Sequence, residues 1–411
     1  MLYSQDGLGL GHLRRTSAIA GAVSASMPGT AMLLVSDSPA GQFFGAVRNQ
    51  DHLKLPSILK VGPGDWRPVN LPVGFGEVQA LRRDLLRTAV LGFRPDLLLV
   101  DHMPHGAMGE LVPALEAVRR TGATRVVLGL RDILDAPEVV RRRWLVEGAM
   151  DAIERHYDRV LVYGRREVFD VAERYGFPPG VAARLHYTGY LCAARPGRPG
   201  RGSGGPGARA RGGRARLVAM VGGGADGYEV LRAVLDALPA VDAARPCSAL
   251  LLTGPFMPKA GRQDLERRAR DLGRLPARVR ESVHDLPRLV AAADAAVAMA
   301  GYNSSVEILA AGTPAVLVPR PGPSAEQRTR ARLFAEQGWV RTVDPDELAP
   351  ATLAAAVLDC LAPGARAAPA GRPDLGGQAA VVAHLRALLD AGPAPGPRPL
   401  RALPAGTPPN P

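Results

Sequence analysis

Unbroken apolar runs of four to six residues, each followed by a stretch of helical periodicity, recur along this chain in two successive series. Residues 31–36, 96–101, 125–130 and 159–163 make the first series, and residues 217–221, 249–253 and 295–299 the second. A strand that is apolar on both faces belongs to a parallel sheet covered by helices on each side, and its alternation with helices marks a doubly wound α/β domain. A short strand is expected at 1–4, so the true start lies upstream or the edge is truncated. One or two strands are expected within 53–61, a loop at 62–76 and a short strand at 280–283. Helices are predicted at 13–26, 39–47, 77–91, 106–120, 137–156 and 167–175. In the second series they fall at 228–238, 262–272, 286–293, 325–337, 351–361 and 378–390.

Between the two series, residues 193–215 are Gly, Pro, Arg, Ala and Ser, the composition of a flexible linker. A Pro-rich tail spans 391–411. The expected organisation is therefore an N-terminal Rossmann-like domain at 1–192, the linker, a second such domain at 216–390, and the tail. Two doubly wound domains in tandem bind ligand where the carboxyl ends of their strands face each other across a cleft.

The formal net charge of +12 invites a nucleic-acid reading, but residues 195–216 hold seven arginines and no acid, and the tail adds Arg398 and Arg401. Those nine leave only a weak positive excess on the folded part. With 5% aromatic residues there is little to stack on bases. No nucleic-acid partner is expected. Cys192, Cys247 and Cys360 form no CxxC pair, which suits a reducing cytoplasm. No leader-like segment opens the chain, and no run approaches the ~20 apolar residues of a membrane span.

Three glycine-rich or small-residue turns follow predicted strands. Gly7-Leu-Gly9-Leu-Gly11-His12 opens the first helix; its backbone can approach an anion, and His12 can donate to phosphate or act as a base. The spacing is not GxGxxG. Gly222-Gly223-Gly224 opens the second domain and lacks the Lys-Ser/Thr of a P-loop. Ala300-Gly-Tyr302-Asn303-Ser304-Ser305-Val-Glu307 reads as a turn into a helix, with Asn303 or Ser304 as the expected cap. Its free N–H groups and dipole suit a phosphate, and Glu307 suits a ribose diol. Asp344-Pro-Asp346 superficially resembles a metal-binding DxD but precedes a helix and reads as a cap, so no metal is expected. Asp101, His102 and His105 end one N-terminal strand, and Arg131 and Asp132 another; all five are expected to face the cleft.

Together, Gly-x-Gly-His12 with Arg14-Arg15, the Gly222–Gly224 loop, the Ala300–Glu307 segment, Ala311-Gly-Thr-Pro-Ala-Val-Leu-Val-Pro319 and Glu326-Gln327-x₃-Ala331 resemble the GT-B glycosyltransferases of family 28. The ordered match spans about 216–345. The chain also resembles, over most of its length, a bacterial group of predicted glycosyltransferases. The resemblance implies a nucleotide-sugar donor, UDP-linked, used as substrate with no further cofactor. The acceptor is unknown, either an envelope glycan or a lipid-linked molecule. The implied location is the cytoplasm, at the inner face of the membrane.

The resemblance also implies roles. Glu307 would hold the donor ribose, and Tyr302, Asn303, Ser304 and Ser305 the diphosphate together with Gly222, Gly223 and Gly224. Glu326 and Gln327 would read the donor sugar. Gly9, Gly11, Arg14, His105, Arg131 and Asp132 would serve acceptor or diphosphate, and His12, Asp101 or His102 would be the base. The same Gly9-x-Gly11-His12-x-Arg14 element is similar to nucleotide-sugar hydrolases of pseudaminic acid synthesis. A nucleotide-sugar 2-epimerase and a non-catalytic nucleotide-sugar-binding module are also compatible with this architecture.

Overall fold

The computed structural model describes residues 1–5, 11–38, 47–62, 65–192, 213–365 and 373–392. The expected helix at 39–47, the linker and the tail fall almost wholly outside these residues. The first unit contains β1 (Leu2–Ser4), β2 (Met32–Ser36), β3 (Gln50–Lys54), β4 (Ile58–Gly62) and β5 (Asp65–Pro68), then β6 (Leu97–Asp101), β7 (Arg125–Arg131), β8 (Arg159–Tyr163) and β9 (Leu185–Tyr187). Seven of them form one parallel sheet in the order β3-β2-β1-β6-β7-β8-β9. The second unit repeats the plan with β10 (Ala215–Met220), β11 (Cys247–Leu252), β12 (Ala277–Arg280), β13 (Ala295–Ala298), β14 (Ala315–Leu317) and β15 (Arg341–Thr342). Its order is β12-β11-β10-β13-β14-β15, again parallel.

Strand order reverses between β1 and β6 in one sheet and between β10 and β13 in the other. Adjacent crossovers leave on opposite faces at such a point and open a crevice beyond the strand ends. The segments that emerge there carry His12, Asp101, Gly222 and Tyr302. The apolar runs bury as expected: Leu98, Val100, Val126, Leu128, Val160 and Val162 sit in the core of the first unit, and Leu217, Ala219, Leu251 and Val297 in that of the second.

Several local expectations are corrected. The expected loop at 62–76 contains β5, which pairs antiparallel with β4. The single helix expected at 137–156 breaks at Gly148, whose φ of 64° ends Pro137–Glu147 and starts Ala149–His156. Helix Tyr228–Ala244 runs through Pro239, six residues beyond its expected end. The helix expected at 167–175 shrinks to Val171–Tyr175, capped by the Asp170 carboxylate. The last helix, Gly377–Asp390, belongs to the second unit by sequence order, yet it packs on Gly11–Ser26 of the first. Gln378 Nε2 donates to the Ala18 carbonyl at 3.2 Å, and Arg386 to that of Ser26 at 2.7 Å.

The units meet through buried polar and aromatic contacts. Arg330 donates two hydrogen bonds to the Asp132 carboxylate, at 3.0 and 2.6 Å, and a third to the Ala300 carbonyl at 2.9 Å. Both side chains are almost wholly inaccessible. Beside them, Tyr190 meets Phe334 and Trp339 edge-on, and its core cluster draws on both units. Removing one partner of a buried pair strands a charge, so Asp132→Ala should lower the unfolding free energy by about 3–5 kcal/mol in urea denaturation. The double change Asp132→Leu with Arg330→Met should recover most of that loss.

Candidate active site

A cleft of about 1150 Å³ lies between the two units. From the N-terminal side it is lined by Gly11, His12, Arg14, His102, His105 and Arg131. From the C-terminal side it is lined by Gly222, Gly223, Gly224, Tyr302, Asn303, Ser304, Glu326 and Gln327. Two helices, Gly11–Ser26 and Tyr302–Ala311, start at its wall. The unsatisfied N–H groups and dipole of Tyr302–Ala311 favour an anion there. Gly9 lies outside the described residues.

The glycine loop after β10 is built for close backbone approach. Gly224 adopts φ of 91°, and a Cβ on it would sit 1.8 Å from the Thr253 carbonyl oxygen. Gly254, at φ of 75°, presses on Gly222 and Gly223 in turn. Phe256 N donates to the Gly223 carbonyl at 2.8 Å, and the Phe256 side chain joins the lining. Helix Tyr302–Ala311 begins differently from expectation. Gly301 is its N-cap, with no side-chain capping bond. Asn303 donates across the domain boundary to the Gly11 carbonyl at 3.1 Å. Ser305 is fully buried and does not reach the cleft.

The three candidate bases are brought together, with different standing. Asp101 is buried at the end of β6 and absent from the lining. Its Oδ2 lies 2.6 Å from His12 Nδ1 and 2.9 Å from an Arg15 nitrogen. Burial opposes its ionisation, but Arg15 and His12 outweigh burial and hold its pKa at about 2. An ionised carboxylate only accepts, so His12 carries its proton on Nδ1 and donates it to Asp101. Arg15 also approaches His12 Nδ1, at 2.6 Å. Both of these groups are donors, so the arginine bonds to the shared Oδ2. Burial, then Arg15, lower the His12 pKa below its ordinary value, with Asp101 opposing, and the ring is neutral near pH 7.

His102 stacks obliquely beside it, ring centroids 5.1 Å apart, on a backbone with φ of 81°. Such a conformation in a non-glycine residue stores strain and clusters at functional sites. Burial, then Arg131, push the His102 pKa far down.

Glu307, expected to meet the ribose, is buried on helix Tyr302–Ala311 and absent from the cleft lining. Its Oε1 is ion-paired with Arg14 from the other unit, and its buried Oε2 has no hydrogen-bond partner among the described residues. Burial raises its pKa, with Arg14 opposing. Glu326 lines the cleft with both oxygens engaged, Oε2 by Arg131 at 2.6 Å and Oε1 by Arg330 at 2.9 Å. Burial opposes its ionisation, but these arginines outweigh it and lower its pKa. Gln327 Oε1 accepts from Arg320 N at 3.1 Å. Asp132, expected to face the cleft, is withdrawn into its pair with Arg330. Asp344 caps the turn Pro345–Glu347, as its sequence context implied.

Several lining residues carried no sequence signal. Leu59, Trp66, Met103, Met108, Val112 and Trp144 give the N-terminal wall an apolar surface, with Lys60 and Arg143 among them. They come from a hairpin, the segment after β6 and two helices, so no motif gathers them. Phe256 and the Asp226–Arg320 ion pair were likewise unmarked.

Residues 218–382 match the glycosyltransferase family 28 C-terminal domain. Two curated relatives are UDP-N-acetylglucosamine–N-acetylmuramyl-(pentapeptide) pyrophosphoryl-undecaprenol N-acetylglucosamine transferases. The one from Exiguobacterium sp. is 29% identical over 36% of this chain, and the one from Paenarthrobacter aurescens 34% identical over 34%. The matched segments span 39% and 37% of those relatives' lengths. Among solved structures, the calicheamicin glycosyltransferase aligns with a TM-score of 0.57 at 18% identity, covering 95% of this chain and 98% of its own. Acinetobacter baumannii MurG aligns at 0.58 and 14% identity, covering 95% and 99%. A Listeria monocytogenes protein described as a UDP-N-acetylglucosamine 2-epimerase aligns at 0.64 and 13% identity, covering 97% and 99%. These structural likenesses establish the fold. Residues 218–382 are thus similar to the C-terminal domain of glycosyltransferase family 28, and as a whole the chain has the GT-B architecture.

Proposed function

We propose that the protein transfers a hexose or N-acetylhexosamine from a nucleoside-diphosphate sugar, UDP-linked, to an acceptor by direct displacement with inversion. One observation carries this reading. A neutral, carboxylate-oriented histidine on one unit and a glycine loop with a helix N-terminus on the other line the same cleft. The diphosphate would lie along Gly222, Gly223 and Gly224 and the first turn of Tyr302–Ala311. There, fixed dipoles and Arg14 and Arg320 oppose the negative charge that grows on the leaving group, without a metal or further cofactor. The acceptor hydroxyl would give its proton to His12 Nε2, while Asp101 holds the tautomer and offsets the imidazolium charge.

Glu307 would receive the ribose through Oε2, which has no partner among the described residues, and Gln327 would contact the sugar. Asp101 acts through His12 rather than as the base. Asp132 and Glu326 serve the domain contact, and His102 and His105 flank the acceptor.

The apolar wall around Trp66, Met108 and Trp144 suits an acceptor with a lipid-like body. Leu145 and Val146, next to Trp144, are each 82% exposed, on the helix that carries Arg141, Arg142 and Arg143. No described helix is long and apolar enough to cross a membrane. Contact is instead proposed at the surface of an anionic bilayer, by apolar insertion with basic support.

Nucleoside-diphosphate release from a panel of nucleotide-sugars, with and without membrane-extract acceptors, tests the activity. Acceptor-dependent release is expected, whereas equal release in water alone would indicate a hydrolase. His12→Ala should cut turnover by about 10²–10⁴-fold. The acid limb of the kcat/KM profile should lie below pH 6.5, because activity appears as His12 loses its proton and its pKa is lowered. Glu307→Ala should weaken nucleotide binding at least tenfold by calorimetry with the fold retained. Co-sedimentation with phosphatidylglycerol vesicles should be lost in Leu145→Glu/Val146→Glu.

A further inference from the structure

Arg15 has no part in the chemistry proposed above, yet it is one of the most constrained side chains in the molecule. It is 3% exposed on helix Gly11–Ser26 and bonds Asp101 Oδ2 at 2.9 Å. Its guanidinium lies 5.6 Å from the ring centroid of Tyr302, the first residue of the helix on the opposite unit. On the other side of the boundary, Arg330 stands 5.6 Å from the same ring. The Tyr302 hydroxyl accepts a hydrogen bond from Leu191 N at 2.9 Å. The ring is thus fixed at its polar end and bears on a cation from each domain.

We propose that Arg15 is a positioning residue for His12, seated by the ring of Tyr302, so that the base acquires its working state only when the two units are closed. The chain of contacts runs Tyr302, Arg15, Asp101, His12, and each step is a direct contact. Asp101 alone would draw a proton onto the imidazole, since a carboxylate beside histidine favours the charged form. Arg15 shares the same carboxylate oxygen and sets a second cation against the ring.

Among the described residues, other groups facing His12 include His102, just after β6, and Arg131 from β7, the latter neutralised in part by Glu326. If the units part, Tyr302 leaves, Arg15 loses its platform, and His12 with Asp101 becomes an ordinary protonated pair. Donor-side closure would then be coupled to base strength without any movement of His12 itself. The consequence for catalysis rests on the transferase reading; the consequence for the His12 proton does not.

The test is a histidine-selective NMR titration of the full chain with no substrate added, the His12 signal being assigned with His12→Gln. In the wild type His12 should titrate below 6.5. Arg15→Met should raise its pKa by about one unit or more, a tenfold change in proton affinity. Arg15→Lys, which keeps the charge, should stay near the wild type. Tyr302→Leu should shift His12 in the same direction as Arg15→Met, while Tyr302→Phe, which keeps the ring, should not.

An unchanged His12 pKa in folded Arg15→Met overturns the proposal. So does an unchanged pKa in Tyr302→Leu, which decides the matter alone should Arg15→Met fail to fold. If the enzyme turns over, the acid limb of kcat/KM should move with the NMR value. An NMR shift in a protein without transferase activity would sink the function proposed above and leave this coupling standing.

Discussion

Tyr302 holds two guanidinium groups, one from each domain, against a single aromatic ring. Each contact is worth about 0.5–2 kcal/mol, modest beside the cost of burying the two charges involved. The ring matters because of what those charges must find once buried. Arg15 finds Asp101, and Arg330 finds Asp132 and Glu326. Two of these acids then fix another site residue, His12 through Asp101 and Arg131 through Glu326. The cleft is therefore shaped by charge compensation spreading outward from the domain boundary, and its side chains have little freedom to reorganise. Preorganisation of that kind is what an electrostatic mechanism requires.

The same network explains why several acids expected at the ligand are engaged by arginine instead of standing free. A carboxylate at a domain boundary rich in buried arginine is claimed by the nearest cation. Asp132, Glu326 and Glu307 all meet that fate, each with an arginine partner from the opposite unit. The histidines escape it because burial and neighbouring cations keep them neutral. Their neutrality leaves His12 suited to take a proton, and Asp101 supplies the orientation that a lone histidine lacks.

Much of the architecture could be read from residue order. Two series of apolar runs with helices between them imply two parallel sheets, and the structure has both. What periodicity missed was decided by single residues or distant contacts. Gly148 stops a helix at a positive φ, Asp170 starts one four residues late, and β5 exists only because β4 pairs with it. The docking of helix Gly377–Asp390 on the first unit depends on contacts more than 350 residues away in sequence. At the site, backbone elements such as Gly222–Gly224 and His12 were legible because their chemistry is local. Partner choice was not: Arg14 with Glu307, and Arg330 with Asp132, pair only once the domains meet. The apolar wall of the cleft was illegible for the same reason, being assembled from four separate segments.

The central claim is that the cleft between the units takes a nucleoside diphosphate on the C-terminal loop and helix and presents it to His12. Backbone hydrogen exchange with and without a saturating nucleoside diphosphate tests it most directly. Protection is predicted at the amides of residues 222–224 and 302–304, together with slower exchange in the first turn of Gly11–Ser26 as the domains tighten. Binding that leaves those amides unchanged, or protects only surfaces outside the cleft, would contradict the account.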